Sequence, residues 1–281
     1  MVAPSGPVPR ERFAVGAAIL GARYELVYQE RIFAKTGFLA GDDDARLQEL
    51  QAALDDDRMG AVFCARGGYG LGRIVPRLDL RRVAKPVVGF SDTTALHAAL
   101  QKTGIRSVHG PVITQLGDLP SDDAEALFSA LESETPPPPI HSLRPLGASH
   151  RAEGPLVGGN LEVFSRLVGT PQLPSLAGAI WVVEDVGERP YRLDRALTQL
   201  LTSGALTGVV GCVIGDLVNC VERDGAGPSA EEVIVERLGR LGIPVAAGLP
   251  IGHAKRNRAF ILGASAILDG DTLTFGESLV V

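Results

Sequence analysis

Four consecutive prolines, Pro136 to Pro139, lie in the stretch ESETPPPPIHSLRPLG that runs from Glu132 to Gly147. Such a run lacks backbone donors and fixes φ, so it is neither helix nor central strand and reads as a semi-rigid polyproline spacer. Any fold for this chain has to interrupt its regular structure there. The division predicts a first domain over 1–135, a proline-rich linker over 136–147 and a second domain over 148–281, and 281 residues suffice for two such cores.

Before the prolines, helical and strand-like patterns alternate. Arg10–Ala22, Asp44–Leu54 and Thr93–Gln101 carry helical spacing, and the second opens on acidic residues that suit a helix N-terminus. Glu25–Tyr28, Ala61–Ala65 and Pro86–Phe90 read as short strands. Strands interleaved with helices predict a doubly wound parallel sheet, with ligands near the carboxyl ends of its strands. After the linker, Leu161–Leu167 and Arg192–Leu201 read as helices and Ala179–Val183, Val209–Ile214, Phe260–Leu262 and Leu273–Phe275 as strands. That pattern predicts a smaller, β-rich α/β domain. The fold class is therefore α/β throughout.

Charge and composition exclude several functions. The formal net charge is −6, and only four of the 27 basic residues are lysine, all scattered, so neither nucleic acid nor an anionic membrane is an expected partner. The N-terminus MVAPSGPVPRER lacks the apolar core of a signal peptide, and no apolar stretch reaches spanning length. Three cysteines, Cys64, Cys212 and Cys220, are an odd number without C-x-x-C spacing, which fits a reducing, cytoplasmic setting. No H-E-x-x-H, Cys/His ligand pattern or calcium loop occurs, so no metal and no cofactor is expected.

The chemistry concentrates at strand ends. In PVVGFSDTTALHAAL, Ser91 stands where an apolar strand gives way at once to a helix. Serine followed by aspartate suits a helix N-cap. It equally suits a nucleophile on a sharp turn, with the following amides free to stabilise an oxyanion. Thr93 occupies the place of the second glycine of the G-x-S-x-G elbow, which sets the ordinary α/β-hydrolase pattern aside. A second turn, Arg66-Gly67-Gly68-Tyr69-Gly70, matches neither dinucleotide nor phosphate loops and says only that backbone approaches something closely. A nucleophilic serine needs a base and an orienting carboxylate. Of the five histidines, His141 and His150 flank the linker and His97 lies within the helix after Ser91, leaving His253 and His109. For the acid, the apolar strand Ala179–Val183 runs into Glu184 and Asp185, with Glu188 close behind.

Taken together, the stretches APS (Ala3–Ser5), GFLAG, DDDARLQELQAAL, ARGGYG, KPVVGFSDTTALH, HGP, GGNLEVFSRLVGTP, VVEDVGERPYRLDRALTQL and GLPIGHAKRNRAFILGA resemble the LD-carboxypeptidase family, which includes muramoyl-tetrapeptide carboxypeptidases and microcin C immunity peptidases. The resemblance covers nearly the whole chain. It implies a Ser-Glu-His triad in which Ser91 is the nucleophile, His253 the base and Glu184, in preference to Glu188, the acid. It implies oxyanion donors at the Asp92 and Gly67 amides, with Gly68, Tyr69, His109 and Glu188 near the substrate. It further implies a small murein-tetrapeptide-like substrate and a homodimer. Family chains normally carry about a dozen residues before APS, which build a first strand, so Met1 is expected to lie inside that strand. Two rival functions remain on sequence grounds: a peptidase acting on peptidyl or aminoacyl-nucleotide amides, and a non-catalytic α/β ligand-binding protein whose Ser91 only caps a helix.

Overall fold

The computed structural model describes residues 1–223, 225 and 227–280; Asp224, Ala226 and Val281, all within the portion 148–281, lie outside the described residues. The first sheet has four strands, β1 (Val62–Phe63), β2 (Val87–Gly89), β3 (Ser107–His109) and β9 (Phe260–Leu262), in that spatial order. β1, β2 and β3 are parallel, and β9 closes the edge antiparallel to β3. Val2 adds a single parallel bridge to Cys64 on the other edge.

The second sheet has the order β11-β10-β5-β6-β7-β8-β4. Its strands are β4 (Arg144–Pro145), β5 (Ala152–Asn160), β6 (Ile180–Val186), β7 (Gly211–Val218), β8 (Val245–Ala247), β10 (Ser265–Asp269) and β11 (Thr272–Phe275). The middle four, β5 to β8, run parallel, while β10, β11 and β4 are antiparallel additions. The α/β class with a parallel first sheet and a β-rich second half thus holds. In strand number the second sheet is the larger, seven strands against four; β5 and β10 go unread in the sequence because glycine or polar residues weaken their strand signal. The prolines 136–139 form no regular structure, as their chemistry requires.

Glu25–Tyr28 is not a strand. Its short apolar run Leu26-Val27-Tyr28 reads as a strand, but strands need ladder partners. Here the sole described backbone link to the neighbouring edge is the Met1 ammonium donating to the Val27 carbonyl at 2.7 Å.

Helix Thr94–Lys102 lies where the two sheets meet. Residues Thr94 to Leu100 are all buried, so this helix is enclosed on every side rather than amphipathic. Gln101 Nε2 donates to the Leu156 carbonyl of β5 at 2.9 Å, and the Asn160 amide at the end of β5 donates to Thr94 Oγ1 at 3.0 Å. One continuous cluster of buried apolar side chains runs from Val62, Val87 and Leu96 to Trp181, Val183 and Leu197. Removing that apolar surface from water, at about 25 cal/mol per Å², is what holds the two sheets together.

Candidate active site

Ser91 follows β2 after one residue, Phe90, and begins a single 3₁₀ turn, Ser91–Thr93, that leads into helix Thr94–Lys102. Its φ is 63°, in the left-handed region that costs a non-glycine residue roughly 1–2 kcal/mol. A conformation of that kind persists where the surroundings impose it. They do so through Asp92, whose buried carboxylate accepts from Ser5 Oγ at 2.6 Å and from the Leu71 amide at 2.8 Å. This one side chain ties together the Ala3-Pro4-Ser5 segment, the glycine turn and the serine turn. Burial pushes the Asp92 carboxyl above its ordinary range, against the two hydrogen bonds. Arg46 supports the arrangement from behind, fully buried and donating to the Pro4 carbonyl and to Asp43.

The glycine turn comes up against the serine itself. A Cβ on Gly67 would stand 2.9 Å from Ser91 Cβ and 3.0 Å from Ser91 Oγ, so only glycine lets the backbone come this near. Gly67 is held by its carbonyl, which accepts from the Gly6 amide at 3.1 Å. Neither the Gly67 amide nor the Asp92 amide donates to a protein acceptor among the described residues. Two free amides beside one hydroxyl are what an oxyanion site requires.

Glu184 lies on β6 and is wholly buried. The β6–β7 register slips here, with Val183 opposite Ile214 but Asp185 opposite Leu217, a bulge that re-aims the side chains. His253 follows β8, on the loop after Gly252, with its Nδ1 2.8 Å from Glu184 Oε2. That contact puts a proton on Nδ1 and leaves Nε2 as the basic nitrogen. Gly252 has φ 120°, and a Cβ there would fall 2.9 Å from Glu184 Oε2, so the loop passes the acid only as glycine. The His253 ring packs on Phe90, the residue before Ser91, with centroids 4.7 Å apart. Ser91 Oγ and His253 make no hydrogen bond to each other, and Phe90 is the residue that connects them.

Three further polar residues complete the site: Asp185, which the sequence reading named only as the neighbour of Glu184, and Asn160 and Asp216, which it did not single out. Asn160 Nδ2 donates to Glu184 Oε1 at 3.2 Å and to Asp185 Oδ1 at 3.3 Å, while its Oδ1 caps helix Leu161–Ser165 by accepting from the Val163 amide. The cap fixes which way the amide faces. Asp185 is buried and also accepts from the Glu162 amide at 2.9 Å. Burial first, and the adjacent Glu184 charge among the further causes, push its carboxyl up to about 7. Asp216, at the bulge on β7, is likewise raised by burial, with Glu184 reinforcing and His253 opposing. The only sequence signal for Asn160 was its place before an apolar helical run, which is an N-cap signal.

The other expected site residues lie further from this constellation. Glu188 meets Arg192 at 3.4 Å, one helical turn on, and not His253. Tyr69 is exposed and packs edge-on against Phe38. Gly68 has φ 112° and lies against Gly6. His109 is fully buried, stacked on Phe260 and near Phe90, with neither ring nitrogen hydrogen-bonded among the described residues. Burial drives its pKa down to about 3. His97 is also buried, between Ser107 Oγ and the Gly89 carbonyl, and lowered to about 4. Among the described residues no cluster of three metal-ligating side chains occurs, and no helix is long and apolar enough to cross a membrane.

Comparison with known proteins matches residues 1–110 to the LD-carboxypeptidase N-terminal domain and residues 153–268 to the LD-carboxypeptidase C-terminal domain. The murein tetrapeptide carboxypeptidase of Pseudomonas aeruginosa is 36% identical over 253 residues, covering 85% of this chain and 82% of that one. The crystal structure of muramoyltetrapeptide carboxypeptidase from Oxalobacter formigenes superposes with a TM-score of 0.86 at 31% identity, covering 99% of each chain. The microcin C7 self-immunity protein MccF in complex with glutamyl sulfamoyl guanosine has the same fold, with a TM-score of 0.88 at 21% identity over 100% of this chain and 96% of that one.

Proposed function

The chain belongs to the LD-carboxypeptidase family, and from that premise we propose that it releases D-alanine from a murein tetrapeptide by a Ser91–His253–Glu184 triad. The observation that carries this reading is the His253–Glu184 hydrogen bond at 2.8 Å, set beside a serine in the left-handed conformation.

In the proposed reaction His253 Nε2 takes the hydroxyl proton as Ser91 Oγ attacks the carbonyl that joins an L-centre to the terminal D-residue. Glu184 keeps the Nδ1 proton in place and stabilises the imidazolium that forms. The amides of Gly67 and Asp92 receive the negative charge that develops on the carbonyl oxygen. The tetrahedral intermediate collapses as His253 returns the proton to the leaving amine, and D-alanine departs from a Ser91 acyl-enzyme. Water, deprotonated by the same nitrogen, then releases the shortened peptide and restores the serine.

The murein substrate is supported over a peptidyl-nucleotide by the relatives: the Pseudomonas enzyme is 36% identical, against 25% for the self-immunity protein of Escherichia coli. A cytoplasmic place and a homodimer belong to the same proposal, as does the division into 1–135 and 148–281. The test is release of D-alanine from murein tetrapeptide by the wild type, Ser91→Ala and His253→Ala. Each variant is expected to lose at least ~10³-fold in kcat. Near-full activity in either overturns the triad.

A further inference from the structure

The loop that carries His253 is held by a closed ring of three hydrogen bonds. The Gly252 amide donates to Asn257 Oδ1 at 3.2 Å, Asn257 Nδ2 donates to Gln115 Oε1 at 2.8 Å, and Gln115 Nε2 donates to the Gly252 carbonyl at 3.2 Å. Each member gives one donor and one acceptor, so the ring closes with both side-chain amides in one orientation only. Gly252, with φ 120° and no side chain, has little steric restraint of its own on the peptide units either side of it, although the Ile251 carbonyl accepts from the Asp216 amide at 2.9 Å.

The ring is anchored on the first sheet rather than on the sheet that carries Glu184. Gln115 sits in the 3₁₀ segment Ile113–Asp118, whose Ile113 and Thr114 amides donate to the Cys64 and Ala65 carbonyls, two residues before Gly67. Asn257 is wholly buried, and its backbone amide donates at 3.0 Å to Asp123, a buried carboxylate also paired with Arg256. Asp123 belongs to helix Ser121–Glu132. Three residues beyond Asn257 the chain enters β9 and joins the first sheet beside β3. The His253 loop is therefore tied to the part of the molecule that holds Ser91 and Gly67, as well as to β7 through the Asp216 amide and the Ile251 carbonyl.

We propose that Gln115 and Asn257 are positioning residues: by holding the peptide units on both sides of the Gly252 Cα they register the His253 imidazole between Glu184 and Ser91. This rests on His253 being the base of the reaction above. Misplacing a catalytic group by about 1 Å costs on the order of 10²-fold in rate, which is what the ring prevents.

The variants are Gln115→Glu and Asn257→Asp, each of which removes one donor so that one contact in the ring becomes oxygen against oxygen, together with Gln115→Asn, Asn257→Gln and the double exchange. The exchange keeps two amides and the summed side-chain length. The carboxylate variants are expected to lose about 10- to 100-fold in kcat with KM within about threefold, and to lose labelling of Ser91 by a small fluorophosphonate in parallel. The low-field proton resonance of His253 Nδ1–H on Glu184 should shift or broaden in the same proteins. The double exchange should exceed both amide singles in kcat and labelling, a non-additivity expected only of groups in contact.

Unchanged kcat and an unchanged resonance in folded carboxylate variants overturn the proposal, as does lost activity with the resonance intact. If a carboxylate variant does not fold, as read by its melting temperature, the exchange decides, and no recovery over the singles overturns the ring. A wild type that does not cleave the tetrapeptide would sink the substrate reading alone, since labelling and the resonance need no particular substrate.

Discussion

Glu184 Oε2 lies 2.8 Å from His253 Nδ1, although the two residues are 69 positions apart and the acid is entirely sealed from solvent. The next glutamate along the chain, Glu188, reaches Arg192 instead. Glu184→Gln keeps the shape of the contact, but the amide can present a donor to Nδ1 and stabilise the wrong tautomer. We expect kcat to fall by about 10³- to 10⁴-fold with little change in KM. Glu188→Gln should cost less than about tenfold. Steady-state release of D-alanine separates them, and a larger loss in Glu188→Gln would reverse the assignment.

Ser91 carries local strain as a condition of its sharp turn. At φ 63° glycine is at ease, whereas alanine is strained as serine is. Ser91→Gly is therefore expected to be more stable than Ser91→Ala by about 1 kcal/mol, after allowing for glycine's greater freedom in the unfolded chain. Both lack the nucleophile. Urea unfolding of the pair checks this, and equal midpoints would mean that the turn is not strained.

Gly67 and Ser91 are so close that a methyl group on the first displaces the second or the turn itself. Gly67→Ala should lower kcat by about 10²- to 10³-fold, the range seen when one oxyanion donor is misplaced. The Gly6 amide still holds the Gly67 carbonyl in this variant, so the fold should survive. Activity and melting temperature measured together test this: wild-type turnover from a folded Gly67→Ala protein would remove the glycine turn from the mechanism.

What the sequence made legible was local. The strand-to-helix junction at Ser91, the glycine turn before it and the acid at the end of β6 are each contained in fewer than a dozen residues. Their chemistry follows from residue type and spacing. The preference for Glu184 over Glu188 came from the family resemblance and from Glu184 lying at the strand end, while the partners that separate the two, His253 and Arg192, left no mark in spacing. Contacts between distant segments left no such mark. Gln115 and Asn257 are 142 positions apart and meet only because β9 crosses back to the first sheet. Glu25–Tyr28 misled in the opposite sense, since its apolar run is strand-like and the ladder partner that makes a strand is lacking among the described residues. β5 was passed over because Gly154, Gly158 and Gly159 weaken its pattern, although two parallel or antiparallel neighbours hold it in place.

Asp185 offers the clearest effect of pH on stability. Its carboxyl is raised to about 7 in the folded protein, chiefly by burial, from an ordinary value of 3.8. The folded state thus holds this proton more tightly than the unfolded chain does. The corresponding stability is fully present below pH 3.8 and is lost as pH rises towards and through 7. Asp185→Asn is neutral throughout and lacks that loss, but gives up one of the acceptors that serve the Glu162 and Val186 amides. The variant should therefore be less stable than the wild type by about 1 kcal/mol at pH 4. It should become the more stable of the two above pH 7, the difference swinging by on the order of 3 kcal/mol across the interval. His97 and His109, lowered by burial, act in the opposite direction, with stability lost as pH falls below 6.5, but both proteins share them and they cancel in the comparison. Urea denaturation at half-unit steps from pH 4 to pH 8 measures the difference, and parallel curves for the two proteins would show that Asp185 is ionised in the fold across the whole range.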